Sequence, residues 1–257
     1  MKRLFGIFML FGMALSLVGC MGSTRQDVST KPLSRKTQSA LADKGMRPSA
    51  PLMVRIFKDE AELEIWKERD DGVFAHFKTY PICAWSGELG PKQKEGDRQA
   101  PEGFYAIAPG QMNPKSAYHL AFNLGYPNAY DRSYGRTGAH LMVHGDCSSR
   151  GCYAMTNPQI EEIYALAREA FKGGQDTFPV HAFPFRMTSE KMAQYKGHKW
   201  YNFWTNIKEG YDYFEASRVL PKVGVKNKRY VFDIDTGQPV FASFGPNSRI
   251  KAIYPPQ

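Results

Sequence analysis

From Leu52 onward, short apolar or alternating runs recur between turn signals at a spacing of about ten residues, a pattern that folds as sheet. Leu52-Met53-Val54-Arg55-Ile56-Phe57 is one such run, and Glu62-Leu63-Glu64-Ile65-Trp66 alternates. Asp70-Asp71-Gly72 is a turn, and Val73 to Cys83 follows as a third strand candidate. Phe178 to Met187 also reads as a strand, with Pro179 and Pro184 placing it at an edge or a bend. A further strand is expected at Lys228–Ile234. Helices flank this β part. Thr156 or Asn157 caps a helix with Pro158 in its first turn; Ile160, Ile163, Tyr164 and Ala167 form its apolar stripe, and Gly173-Gly174 stops it. Two more helical pieces are expected around Ser189–Tyr195 and Trp200–Glu215, their aromatic residues packing as core. The fold class is mainly β with flanking helices (α+β).

The whole chain has 257 residues, with 42% apolar and 23% charged, so it is neither disordered nor collagen-like. Lys and Arg exceed Asp and Glu by 34 to 25, which points to an anionic partner. Four cysteines are too few for a disulfide scaffold of this size.

The start is of another kind. Met1-Lys2-Arg3 is basic, and Leu4 to Val18 is apolar apart from Gly6, Gly12 and Ser16. As a helix that stretch would reach only about 22 Å, short of a hydrocarbon core of about 30 Å, so residues 1–19 read as a signal peptide. Leu17-Val18-Gly19-Cys20 resembles a bacterial lipobox, which makes Cys20 the expected lipid attachment site and new N-terminus. Met21 after it points, by the same resemblance, to the outer membrane of a Gram-negative cell, facing the periplasm. Residues 20–50, rich in Ser, Thr, Lys, Arg and Pro, read as a flexible tether. Residues 51–188 then read as the main folded domain, and 189–257 as a C-terminal extension packed on it.

The chemistry concentrates in one stretch, His140-Leu141-Met142-Val143-His144-Gly145-Asp146-Cys147-Ser148-Ser149-Arg150-Gly151-Cys152. An apolar strand delivers His144, and a loop of small polar residues presents Cys152 just before the Thr156 helix. A thiolate is the reactive form of cysteine, and a neighbouring imidazole can hold its proton. Gly145 and Gly151 allow close backbone approach, so that N–H groups face an oxyanion. Zinc on His144, Cys147 and Cys152 is the rival reading, but the spacing fits no common knuckle and a fourth ligand is lacking. A buried Cys beside a buried His with no chemistry is the third.

At these residues the sequence resembles the L,D-transpeptidases of the YkuD type, and their YafK-like branch in particular. Val143-His144-Gly145 and Ser149-Arg150-Gly151-Cys152-Tyr153-Ala154-Met155-Thr156 carry the likeness. So do Lys94 to Tyr105 (with Ala100-Pro101-Glu102-Gly103), Tyr126 to Asp131 with Gly135 to Gly138, and Phe203 to Glu215. The resemblance implies a YkuD-like β-sandwich with Cys152 as nucleophile and His144 as general base. Gly145 would orient the imidazole through its carbonyl. Two departures stand out: Arg150 replaces the usual His, and only seven residues separate His144 from Cys152. Arg150 is expected to hold a substrate carboxylate or to lower the Cys152 pKa. Ser149 and Gly151 are placed at the oxyanion, and Arg136 and His119 as carboxylate contacts in the cleft. His140 is left without a role, and Cys83 and Cys147 are either buried thiols or partners of each other.

The implied function is a peptidoglycan L,D-transpeptidase working through a cysteine acyl-enzyme on wall stem peptides, with no metal or organic cofactor. A cysteine amidase or hydrolase that trims stems or releases a wall-linked lipoprotein is the near alternative. A silent wall-binding lipoprotein is the alternative of another class. Without residues 1–19 the formal charge falls from +9 to +7, which suits carboxylate-bearing peptidoglycan or anionic lipid rather than nucleic acid.

Overall fold

A computed structural model describes residues 27–232; the signal peptide read at 1–19, the lipidation site Cys20 and the tail from 233 lie outside the described residues. A lead segment with α1 (Arg35–Ala42) precedes β1 (Leu52–Phe57), β2 (Glu62–Glu68), β3 (Phe74–Pro81), β4 (Ala84–Trp85) and β5 (Gly103–Ile107). Then come β6 (Met112–Asn113), β7 (Ala121–Asn123), α2 (Ala129–Ser133), β8 (Met142–His144), β9 (Tyr153–Ala154) and α3 (Asn157–Lys172). The described chain closes with β10 (Phe178–Phe183), α4 (Ser189–Gln194), α5 (Tyr201–Ser217) and the hairpin β11 (Val223–Lys226) and β12 (Arg229–Phe232).

Two five-stranded sheets form the body, in the orders β3-β2-β1-β10-β5 and β4-β9-β8-β7-β6. The first is covered on both faces, which is why β1 reads as a nearly unbroken apolar run. Leu52, Val54 and Ile56 join Leu63, Ile65, Tyr105, Phe122, Val143 and Tyr153 in the main core. Alternation sends Phe57 to the opposite face, where it meets Phe104, Phe183, Trp204, Ile207 and Tyr211. Arg55 lies on that face too, fully buried among aromatic rings, with Nη1 donating to Glu215 Oε1 at 2.6 Å. The aromatic stripe of α5 is therefore core, and Trp204 Nε1 donates to buried Glu102 Oε2 at 2.9 Å. Lys58 closes that network, its Nζ 3.0 Å from Glu102 Oε1.

The helix expected after Thr156 is α3, and its stripe residues Ile160, Ile163, Tyr164 and Ala167 are all buried. Gln159 caps it by accepting from the Thr156 N–H at 2.9 Å. Two expectations need correcting. The Pro-containing strand is not at an edge: β10 lies inside the sheet, parallel to β1 and antiparallel to β5. Its pairing with β1 starts only at Val180, so Pro179 precedes that ladder and its missing N–H is harmless there.

The second correction concerns the flexible tether expected over 20–50. Residues 27–50 are folded onto the domain, with Leu33, Leu41, Met46 and Ala50 buried. Ser34 caps α1, and Lys67 Nζ reaches back to the carbonyls of Pro48 (2.9 Å) and Ala50 (2.5 Å). A few well-spaced apolar residues suffice to dock a segment whose overall composition is polar. Between this lead and α3 lies a cavity of about 600 Å3, lined by residues that include Lys31, Lys36, Phe77, Lys78 and Glu161 but neither His144 nor Cys152.

Candidate active site

β8 and β9 pair in parallel, with Val143 opposite Tyr153 and His144 opposite Ala154. Val143 and Tyr153 point into the core. The pleat turns Met142 and His144 to the other face, and Cys152, one residue before Tyr153, falls on that face with them. Two residues eight apart in sequence are thereby brought to neighbouring segments, His144 at the end of β8 and Cys152 immediately before β9.

Each is held by short-range bonds. The His144 Nδ1–H donates to the Gly145 carbonyl oxygen at 2.5 Å, which leaves Nε2 as the basic nitrogen. The Tyr118 ring stands over the imidazole with centroids 4.7 Å apart and is itself 45% exposed. Gly145 donates its N–H to the carbonyls of Tyr118 and Leu120, both at 3.1 Å. A side chain at Gly145 would collide, since its Cβ would stand 2.6 Å from Asn157 Oδ1 and 3.0 Å from the Tyr118 carbonyl. Burial holds the His144 pKa below the ordinary histidine value, although the Gly145 carbonyl and Asp146 act the other way.

Cys152 is half-buried and is the one free thiol among the described residues. Its Sγ is 3.7 Å from the His140 carbonyl. Burial pushes the thiol up, while the Met142 N–H and the charge of Lys92 draw it down. Burial thus favours the uncharged form of both groups, the imidazole and the thiol. Ser149 shapes the loop: its Oγ donates to the Cys152 carbonyl at 2.7 Å and accepts from the Gly151 N–H at 3.3 Å. Gly151 has φ +117°, a conformation that disfavours any side chain.

Several expectations change here. Ser149 Oγ accepts from the Gly151 N–H, so that N–H is engaged within the loop rather than turned to an oxyanion. Arg150 is exposed and is not among the groups that shift the Cys152 thiol. Arg136 is no cleft residue: at 6% exposure it pairs with the buried Asp131, Nη1 to Oδ1 2.8 Å, and stacks against Tyr130, Tyr134 and Phe203. His119 bonds through Nε2 to Glu161 Oε1 on α3 at 2.8 Å, so its ring is committed to a carboxylate of the protein. Cys83 and Cys147, left open by the sequence, form a disulfide with Cα atoms 5.2 Å apart, joining the residue before β4 to the His144–Cys152 loop. The zinc set of His144, Cys147 and Cys152 loses Cys147 to this bond. Lys92, Tyr118 and the Met142 N–H were missed. Lys92 stands in a Lys-rich run without any marker, and backbone donors leave no trace in side-chain identity.

A sheet-borne His and a cysteine just before the neighbouring strand, carried by two five-stranded sheets, are the features to set against known domains. The profile of the YkuD L,D-transpeptidase catalytic domain matches residues 54–181. The chain is also 42% identical over 223 residues to YafK of Escherichia coli K12, itself named only provisionally as an L,D-transpeptidase, with 87% of each chain covered. The same values hold for YafK of Escherichia coli O157:H7. The chain therefore belongs to the YkuD L,D-transpeptidase family. Among solved structures, the helical cell shape determining protein Pgp2 of Campylobacter jejuni aligns at 22% identity and a TM-score of 0.43, over 70% of this chain and 67% of that one. That likeness is too loose to bear on function.

Proposed function

We propose that this protein is a cysteine acyltransferase of peptidoglycan stem peptides. The observation that carries the reading is the parallel β8–β9 pairing, which sets His144 and the free thiol Cys152 on one face of the sheet. His144, neutral and with Nδ1–H engaged, takes the thiol proton at Nε2. The thiolate sulfur attacks the carbonyl carbon of the third stem residue, an L-centre followed by a D-residue. The tetrahedral oxyanion is met by the Cys152 N–H. The intermediate collapses as the imidazolium returns its proton to the departing amine, leaving a thioester on Cys152. A second amine, or water, then gives up a proton to His144 and releases the acyl group.

The test is mass spectrometry of the purified chain incubated with muropeptides. A mass increase equal to the donor acyl group is expected on the chain, and Cys152→Ala should abolish both it and any new product. Product formation that survives Cys152→Ala would refute the assignment. Cross-linked dimers would define a transferase, release of a lysine-linked peptide the amidase of the same family, and sacculus binding without either a silent module. The reading also has the chain anchored through acylated Cys20 at the membrane facing the wall. Incorporation of labelled acyl chain should vanish in Cys20→Ser, and unchanged labelling would refute the anchor.

A further inference from the structure

The cation expected to favour the Cys152 thiolate, Arg150, is exposed to water, where its field is screened. Arg98, on the segment above the loop, is exposed as well. Lys92 is sheltered, at 4% exposure, and donates to the Lys94 carbonyl at 2.9 Å while pairing with Asp97. Asp97 in turn accepts from the N–H groups of Gln93 (2.8 Å), Lys94 (3.0 Å) and Gln99 (3.0 Å), which fixes the whole turn.

This turn touches the nucleophile loop on one side. A Cβ at Gly151 would stand 3.6 Å from the Gln99 carbonyl oxygen and 3.7 Å from the Arg98 carbonyl carbon. Ser86 Oγ ties the two together, 2.8 Å from the Arg98 carbonyl and 3.2 Å from Ser149 Oγ. On the other side, the stem of Lys92 fills the space beside Gly138, where a Cβ would lie 2.6 Å from Lys92 Cε. Gly138 leads within two residues to His140, whose carbonyl borders Cys152 Sγ. The Lys92 side chain thus packs between its own turn, which touches the nucleophile loop, and the Gly138 segment, which leads to His140.

We propose that Lys92 is a positioning residue for the reaction, the fixed and sheltered positive charge that supports the Cys152 thiolate, with Asp97 tempering its field. The inference rests on the Cys152–His144 reading above. The ionisable groups carried by the segments packed here are Asp146 and Arg150 on the nucleophile loop, His140 ahead of β8 and His144 at its end, and Lys92, Lys94, Glu95, Asp97 and Arg98 on the turn, with Glu95 Oε2 3.3 Å from the Cβ position of Gly138. Lys92 is the cation among them that draws the thiol pKa down, against the burial that raises it. A charge in such low-dielectric surroundings acts more strongly than an exposed guanidinium.

Alkylation of Cys152 by iodoacetamide, followed across pH on the purified full chain with Cys152→Ala as the blank, tests this without an activity assay. Lys92→Met is expected to move the midpoint to higher pH and slow alkylation at pH 7 roughly tenfold. Lys92→Arg should restore most of the rate, and Asp97→Asn should move the midpoint the opposite way. A folded Lys92→Met chain with an unchanged profile would overturn the proposal. Should that variant not fold, an unchanged or raised midpoint in Asp97→Asn overturns it instead. The two readings fail separately: product formation by Cys152→Ala refutes the acyltransferase, whereas a profile indifferent to Lys92 refutes only its role.

Discussion

Replacing Arg136 with Ala is expected to cost about 3–5 kcal/mol of stability while leaving Cys152 as readily alkylated as before. Asp131 is fully buried, and its carboxylate oxygens accept from Arg136 Nη1, the Asn128 N–H and the Tyr105 hydroxyl. Burial alone raises the Asp131 pKa, and Arg136 is the first of the partners that oppose it. Removing the guanidinium strands a carboxylate in the core and empties the space between Tyr130, Tyr134 and Phe203. Chemical denaturation at pH 7 measures the loss. A variant that keeps its stability but binds stem peptide more weakly would instead return Arg136 to the cleft.

The second large effect is expected at His144. His144→Ala should lower kcat/KM on stem peptides by about 10²–10⁴, the range for a positioned general base. The pH profile adds the sign. Only the neutral imidazole can accept the thiol proton, and burial holds its pKa below the ordinary value. The acid limb of kcat/KM should therefore fall below the ordinary histidine value of about 6.5, with activity retained as pH drops through that value. An acid limb at or above it would show that the imidazole is not held as the structure has it. In His144→Ala the residual rate should lose this limb.

How far the sequence anticipated this molecule depended on how local the cause was. β1, α3 and the two C-terminal helices follow from periodicity and caps within their own segments, and they stand where the pattern puts them. The shared face of His144 and Cys152 was legible because one short stretch contains both, and one parallel strand pair turns that nearness in sequence into a common side of the sheet. Of the edge or bend expected for β10, the edge failed because Pro179 marks only a missing donor, and which neighbour needs that donor is set by the whole sheet, while the chain does bend at Pro184. The lead was misread because its polar composition hides four apolar anchors. Arg136 and His119 show the limit for sites: sequence supplies a charge or a ring, but Asp131 and Glu161 had already claimed them.

The bond between Cys83 and Cys147 has a consequence for the chemistry of sulfur in this chain. Cys147 is the cysteine nearest Cys152 in sequence, five residues away in a loop with positive φ at Asp146 and Cys147. As a thiol it would be a ready internal partner for the nucleophile. Bonded to Cys83, it serves as a synthetic chemist's protecting group does: one sulfur is masked so that the other alone reacts. The same link makes a covalent ring from Cys83 to Cys147 that holds Lys92, Asp97, Tyr118 and His144 inside it, with Cys152 hanging just beyond its clasp.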